Sequence, residues 1–160
     1  MKVLVVNPQK CSGGKSCELA CSFEKTGRFN LVDSCIKIHY FPEEIRFIPT
    51  VCMQCRDAYC VQVCPTGAIE RNGDDGVVYL DQDKCIGCKQ CIVACPWGAV
   101  KLDHEGKTLM KCDACGGDPA CVKVCTSEAL QYVDADEVVF SKQRETAERY
   151  MEIAREISRG

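Results

Sequence analysis

Sixteen of the 160 residues are cysteine, and all but Cys35 fall into four spaced groups. The tightest reads Cys85-x2-Cys88-x2-Cys91-x3-Cys95-Pro96. Two others repeat it with small variations: Cys52-x2-Cys55-x4-Cys60-x3-Cys64-Pro65 and Cys112-x2-Cys115-x5-Cys121-x3-Cys125. The first group, Cys11-x5-Cys17-x3-Cys21, is incomplete, with Gly14 where the repeat puts its second cysteine. A pattern this dense forces the chain to fold around whatever the thiols hold.

The 85–95 spacing is that of the iron–sulfur run of bacterial ferredoxins. Three thiolates on one tight loop face three irons of a cubane, and the fourth, a helical turn away, reaches a neighbouring cluster. Several clusters in a row imply electron transfer. Zinc ribbons also use Cys-x2-Cys pairs, but zinc gains nothing from the third and fourth thiols at these spacings. Disulfides suit a secreted chain. Here the apolar run Val3–Val6 is broken by Asn7-Pro8, too short for a signal peptide, and no segment has 18 consecutive apolar residues. The expectation is a cytoplasmic protein without direct membrane insertion.

Aromatic residues are only 7% of the chain, so the clusters are expected to serve as core and the apoprotein to be largely unfolded. The formal charge of −3 becomes more negative by roughly 2 per 4Fe–4S cluster held by four thiolates. That excludes nucleic acid as a natural partner.

Each unit reads as a cysteine loop, a short helix carrying the last thiol, and an exit into a strand. Val77–Leu80 and Ala99–Leu102 are the expected strands, with turns at Asn72–Gly76 and Asp103–Gly106. Asp81 or Asp83 caps the entry to the following loop. Cys35–Phe41 reads as a strand stopped by Pro42, with Val3–Val6 as its partner. Near the C-terminus Glu137–Phe140 reads as a strand, and Ser141 as the cap of a helix reaching about Ser158. Ala147, Tyr150, Met151, Ala154 and Ile157 share one face of that helix, and Glu145 pairs with Arg149. This face either packs on its own domain or docks a partner.

Because the fourth thiol of one motif completes the cluster of its mate, the central motifs pair crosswise. One cluster is then held by Cys52, Cys55, Cys60 and Cys95, and another by Cys85, Cys88, Cys91 and Cys64. The outer motifs pair likewise: Cys112, Cys115 and Cys121 with Cys21, and Cys11 and Cys17 with Cys125, one ligand short. Four readings of that short site stand open: Cys35 as the missing ligand, a 3Fe–4S cluster, a 4Fe–4S cluster with a non-cysteine or solvent ligand, or an empty site. His39 and His104 read as structural or solvated. Trp97 reads as a shield over a cluster. Gly13-Gly14-Lys15-Ser16 echoes a phosphate loop but lacks the earlier glycine.

With its motifs laid out, the chain resembles the polyferredoxin-type electron-transfer subunits of molybdenum and tungsten oxidoreductases, hydrogenases and carbon monoxide dehydrogenases. The resemblance extends to about residue 134. The opening Cys17-Glu18-Leu19-Ala20-Cys21-Ser22-Phe23 resembles the small subunits of tungsten aldehyde oxidoreductases and of ATP-independent, class II benzoyl-CoA reductases. It implies an α+β fold of two interlocked ferredoxin-like domains with short hairpins and helices. It also implies three to four 4Fe–4S clusters and a non-catalytic role beside a large tungstopterin-containing catalytic subunit, with a further electron-donor or acceptor subunit. On this scheme residues 1–50 form an outer half, 51–110 a central two-cluster unit, 111–134 the motif completing the outer half, and 135–160 a C-terminal strand and helix. The other readings are a free polyferredoxin carrier, a zinc-stabilised interaction module, and an iron–sulfur enzyme acting at the deficient site.

Overall fold

The computed structural model describes residues 2–73 and 76–157. Among these residues the sheets are four two-stranded antiparallel ribbons. β1 (Lys2–Val6) pairs with β8 (Leu130–Asp134), β2 (Lys37–Phe41) with β3 (Arg46–Thr50), β4 (Ile69–Arg71) with β5 (Val78–Leu80), and β6 (Val100–Leu102) with β7 (Leu109–Lys111). A two-stranded ribbon is marginal alone, so each must pack on something else. The helices are α1 (Ser16–Thr26), α2 (Tyr59–Gln62), α3 (Gln90–Ala94), α4 (Ala120–Lys123) and α5 (Ala135–Ile157).

The ribbons and helices close two cores. The outer core gathers Cys17, Cys21, Ile36, Val51, Met110, Cys112, Cys121 and Leu130, drawing on both ends of the chain. The inner core gathers Ala58, Ile69, Val78, Cys91, Val100 and Leu109 from the middle. Thiols occupy much of each, in keeping with the scarcity of aromatics.

The 22–50 insertion is tied down by buried polar groups. Asp33, 1% exposed, accepts from the backbone N–H and Nδ1 of His104, each at 2.8 Å, and from Asn30 Nδ2 at 2.9 Å. Glu18 Oε1 accepts from the Ile38 N–H, clamping α1 to β2. α1 ends at Gly27 (φ +68°), whose N–H returns to the Phe23 carbonyl at 2.7 Å. This is a left-handed cap that glycine adopts without steric cost. His104 thus has a structural role, and His39 lies on β2 with Nε2 3.0 Å from Thr50 Oγ1. Asp81 caps the entry to the third motif, accepting from the Asp83 N–H at 3.0 Å.

Several expectations are corrected. Val3–Val6 pairs with β8, not with the 35–41 segment, which turns back on β3 through the Pro42–Ile45 loop. β3 escapes sequence reading because Pro49 interrupts it; in a two-stranded ribbon the missing N–H can face outward. Glu137–Phe140 is not a strand but the first turns of α5, and Ser141 lies inside that helix, its hydroxyl donating to the Val138 carbonyl. The local β propensity of Val138–Phe140 yields to a helix already begun at Ala135. The expected face of α5 does not pack on its own domain: Ala147, Tyr150, Met151 and Ala154 are exposed. The Glu145–Arg149 pair, the place of Ile157, the helix end at Ser158 and part of the 72–76 turn lie outside the described residues or side chains.

Candidate iron–sulfur centres

Four short stretches of helix each bring two thiols, one turn apart. α1 carries Cys17 and Cys21. α2 carries Cys60 and α3 carries Cys91, with Cys64 and Cys95 at or just past their ends. α4 carries Cys121, with Cys125 just beyond. At 1.5 Å per residue the two thiols of a pair stand about 6 Å apart along the axis, and for α2 and α3 they line different cavities. α2 packs against α3, and α1 against α4.

One cavity is lined by Cys52, Cys55, Cys60 and Cys95, another by Cys64, Cys85, Cys88 and Cys91. In each, one thiol comes from the neighbouring motif. In the outer core Cys21 lies within electrostatic reach of Cys112, Cys115 and Cys121, and Cys17 within reach of Cys11, Cys125 and also Cys121. Cys35 lies against Cys21, its N–H donating to Cys21 Sγ at 3.3 Å. Trp97, half-exposed, lines the rim of the first cavity beside Met53 and Tyr59.

Among the described residues, no three Cys, His, Asp or Glu side chains converge closely enough to hold a single metal ion. The thiols instead ring spaces, as a cubane requires.

Burial governs the thiols. It pushes Cys17 up to about 11 and Cys112 and Cys121 up to about 12. Cys21 is the exception, held down at about 6 chiefly by a hydrogen bond from the Cys35 thiol, which is itself pushed up by that bond and by burial. At Cys64 the effect of burial is outweighed by the Ile69, Thr66 and Ala68 N–H groups and the Thr66 hydroxyl, and the thiol is lowered. Buried thiolates thus need a cationic core to neutralise them. For the stripped chain the sign follows directly. A buried thiol raised above its ordinary 9.0 favours the folded state below pH 9 and withdraws that support as pH rises towards 12. After anaerobic chelation of iron, the helical circular dichroism that remains is expected to decline from pH 8 to pH 11. A rise over that range would contradict the burial argument.

Lys111 is the residue the spacing did not reveal. It is 5% exposed, and its ammonium meets Cys52 Sγ at 3.7 Å, the Cys112 carbonyl at 2.9 Å and the Val78 carbonyl. Three acceptors match the three donors of a protonated lysine. It stands between the Cys52 and Cys112 groups, beside Gln54, which bonds the Cys112 carbonyl and the Val78 N–H. The available signal was a lysine in the short apolar run directly before Cys112.

A family model of 4Fe–4S dicluster domains matches residues 43–135. The chain is 35% identical over 156 residues to an uncharacterised ferredoxin of Methanocaldococcus jannaschii, spanning 96% of this chain and 86% of that one. It is 32% identical over 159 residues to the polyferredoxin-like subunit of the aliphatic sulfonate oxidoreductase of Pyrococcus furiosus, spanning 96% and 91%. The fold is shared with a chain of the active-site complex BamBC of benzoyl coenzyme A reductase in complex with zinc: TM-score 0.51, 20% identity, 92% and 90% covered. With its sixteen cysteines the chain holds several 4Fe–4S clusters. It belongs to the ferredoxins of the 4Fe–4S dicluster domain family.

Proposed function

We propose that this chain is the electron-transfer subunit of a cytoplasmic oxidoreductase complex, relaying single electrons to or from a large catalytic subunit. One observation carries the reading: α2 and α3 each place a thiol on both central cavities, and α1 packed on α4 repeats that pattern, so we read the groups as a continuous series. The series runs from Cys85/Cys88/Cys91/Cys64 through Cys52/Cys55/Cys60/Cys95 and Cys112/Cys115/Cys121/Cys21 to Cys11/Cys17/Cys125. α2 and α3 join the first two, Lys111 bridges the second and third, and α1 and α4 join the last two. Each bound cluster takes up and releases one electron. The chain's own residues hold the clusters, exclude water from them, and set their potentials by N–H···S bonds and charge. The Ala99 N–H to Cys95 Sγ, at 3.4 Å, is one such bond.

The architecture reads as two interlocked ferredoxin-like halves. Residues 51–110 form the central two-cluster unit, 1–50 and 111–134 the outer half, and the helix Ala135–Ile157 is appended to them. A bound partner is supported by exposed apolar surface at Met53, Tyr59 and Trp97 beside the Cys52 group, and at Val139, Phe140, Tyr150 and Met151 on α5. The Pyrococcus furiosus relative is itself named as an oxidoreductase subunit. A tungsten enzyme as partner rests on the likeness of the Cys17–Phe23 opening. Among the described residues no helix is long and apolar enough to cross a membrane.

The test is metal analysis of anaerobically purified native material. Iron at about 12 to 16 per chain, with tungsten and a co-purifying large polypeptide, is the expected result. A brown monomer without a partner would replace the subunit by a free carrier. Zinc without iron would end the electron-transfer reading.

A further inference from the structure

The group of Cys11, Cys17 and Cys125 offers three thiols where each neighbouring group offers four. In the proposed relay, on which the inference rests, this group is the terminal site. Ser16 Oγ donates to the Val124 carbonyl at 3.4 Å, which brings the chain neighbours of Cys17 and Cys125 into contact. Cys17 and Cys125 both belong to the outer core. Cys11 approaches from the end of the Pro8–Lys10 turn, its N–H bonded to the Pro8 carbonyl at 3.2 Å.

By the spacing of the repeat the missing fourth ligand would stand at Gly14. A Cβ built there would meet only Ser12 Oγ, at 3.9 Å, and Gly14 lies outside the left-handed region. Backbone and space would therefore accept a cysteine, yet none is present. Among the described residues the neighbouring carboxylates and the remaining thiol are engaged elsewhere: Glu128, three residues after Cys125, pairs with Lys10 at 3.6 Å. Glu18, next to Cys17, is buried with Oε1 on the Ile38 N–H. Cys35 is bound to Cys21 on the side of the neighbouring group. The other twelve cysteines belong to the three complete groups.

We propose that this terminal site holds a cluster on three thiolates, and that the iron left without a thiolate is exchangeable. That iron completes its coordination with a small exogenous donor, water or hydroxide, rather than a side chain. The exchange balances without electron transfer: [3Fe–4S]⁰ plus Fe²⁺ gives [4Fe–4S]²⁺, and the reverse releases Fe²⁺. The site would thus bind a divalent iron ion from solution at one end of the series, leaving the other clusters intact.

The test uses the anaerobic holoprotein. Mild oxidation with ferricyanide should produce a 3Fe–4S electron paramagnetic resonance signal integrating to about one cluster per chain. Dithionite with ⁵⁷Fe²⁺ should erase it and place about one labelled iron per chain in a single Mössbauer site. Gly14→Cys should abolish both the signal and the uptake, while Cys35→Ala and Ser12→Ala leave both unchanged. A wild type with about 16 irons and no 3Fe–4S signal on oxidation would overturn the proposal. So would loss of the behaviour in the Ser12 or Cys35 variant, which would identify a side-chain ligand. Iron at about 12 per chain with functional electron transfer would leave the site empty, sinking this inference but not the relay. A chain without iron would sink both.

Discussion

Cys95→Ala is expected to remove the cluster bounded by Cys52, Cys55 and Cys60, and to spare the one beside Cys85, Cys88 and Cys91. By sequence Cys95 belongs to the second of these sets. In space it lines the first cavity, because α3 carries it one turn beyond Cys91 and α3 packs against α2. Iron should fall by about four per chain. The affected group is second in the series, so electrons should no longer cross from one end to the other. The missing cluster should be visible in quantitative electron paramagnetic resonance of the dithionite-reduced protein and in its iron content, and the broken series in the rate of electron transfer between the partner enzyme and an added acceptor. Cys64→Ala is the reciprocal control, removing the Cys85 group and sparing the Cys52 group. If Cys95→Ala instead cost the Cys85 cluster, the crosswise arrangement of ligands would be wrong.

Lys111→Met should lower the reduction potential of the cluster at Cys52. The ammonium lies 3.7 Å from Cys52 Sγ and is almost fully buried. A unit charge about 6 Å from a cluster centre, at an effective dielectric constant near 20, is worth ~3 kcal/mol. For a one-electron couple that is on the order of 100 mV. The positive charge favours the reduced, more negative cluster, so removing it makes reduction harder. Methionine also strands the Val78 carbonyl, costing about 1–3 kcal/mol for an acceptor left unpaired, while Gln54 still serves the Cys112 carbonyl. Lys111→Gln separates the two effects, since it keeps donors but not charge: it should recover stability and leave the potential low. Potentiometric titration with resonance detection resolves the cluster concerned. An unchanged potential in both variants would reduce Lys111 to a packing role.

Much of the chemistry was legible in the sequence because iron–sulfur ligation imposes a rigid spacing. A loop that wraps one corner of a cubane tolerates few residues between thiols, so each motif announces itself. The short strands Val78–Leu80 and Val100–Leu102, and the turn with Gly106 at φ +71°, were legible for the same local reason. Non-local choices were not. The partner of β1 lies more than a hundred residues away in β8, and nothing in Val3–Val6 distinguishes that strand from the nearer segment at 35–41. The helical start of α5 overrode Val138–Phe140, because a helix once begun at Ala135 propagates more readily than a new strand nucleates.

Covalent spacing alone dictates that this chain folds around several clusters and that one motif lacks a thiol at Gly14. The chain carries that spacing even when unfolded. The place of Cys35 beside Cys21, the seat of Lys111 between two thiol groups and the exposed face of α5 arise only on folding. They depend on which surfaces meet once the two cores close. A buried charge or an apolar face acquires its meaning from neighbours that the linear chain does not specify.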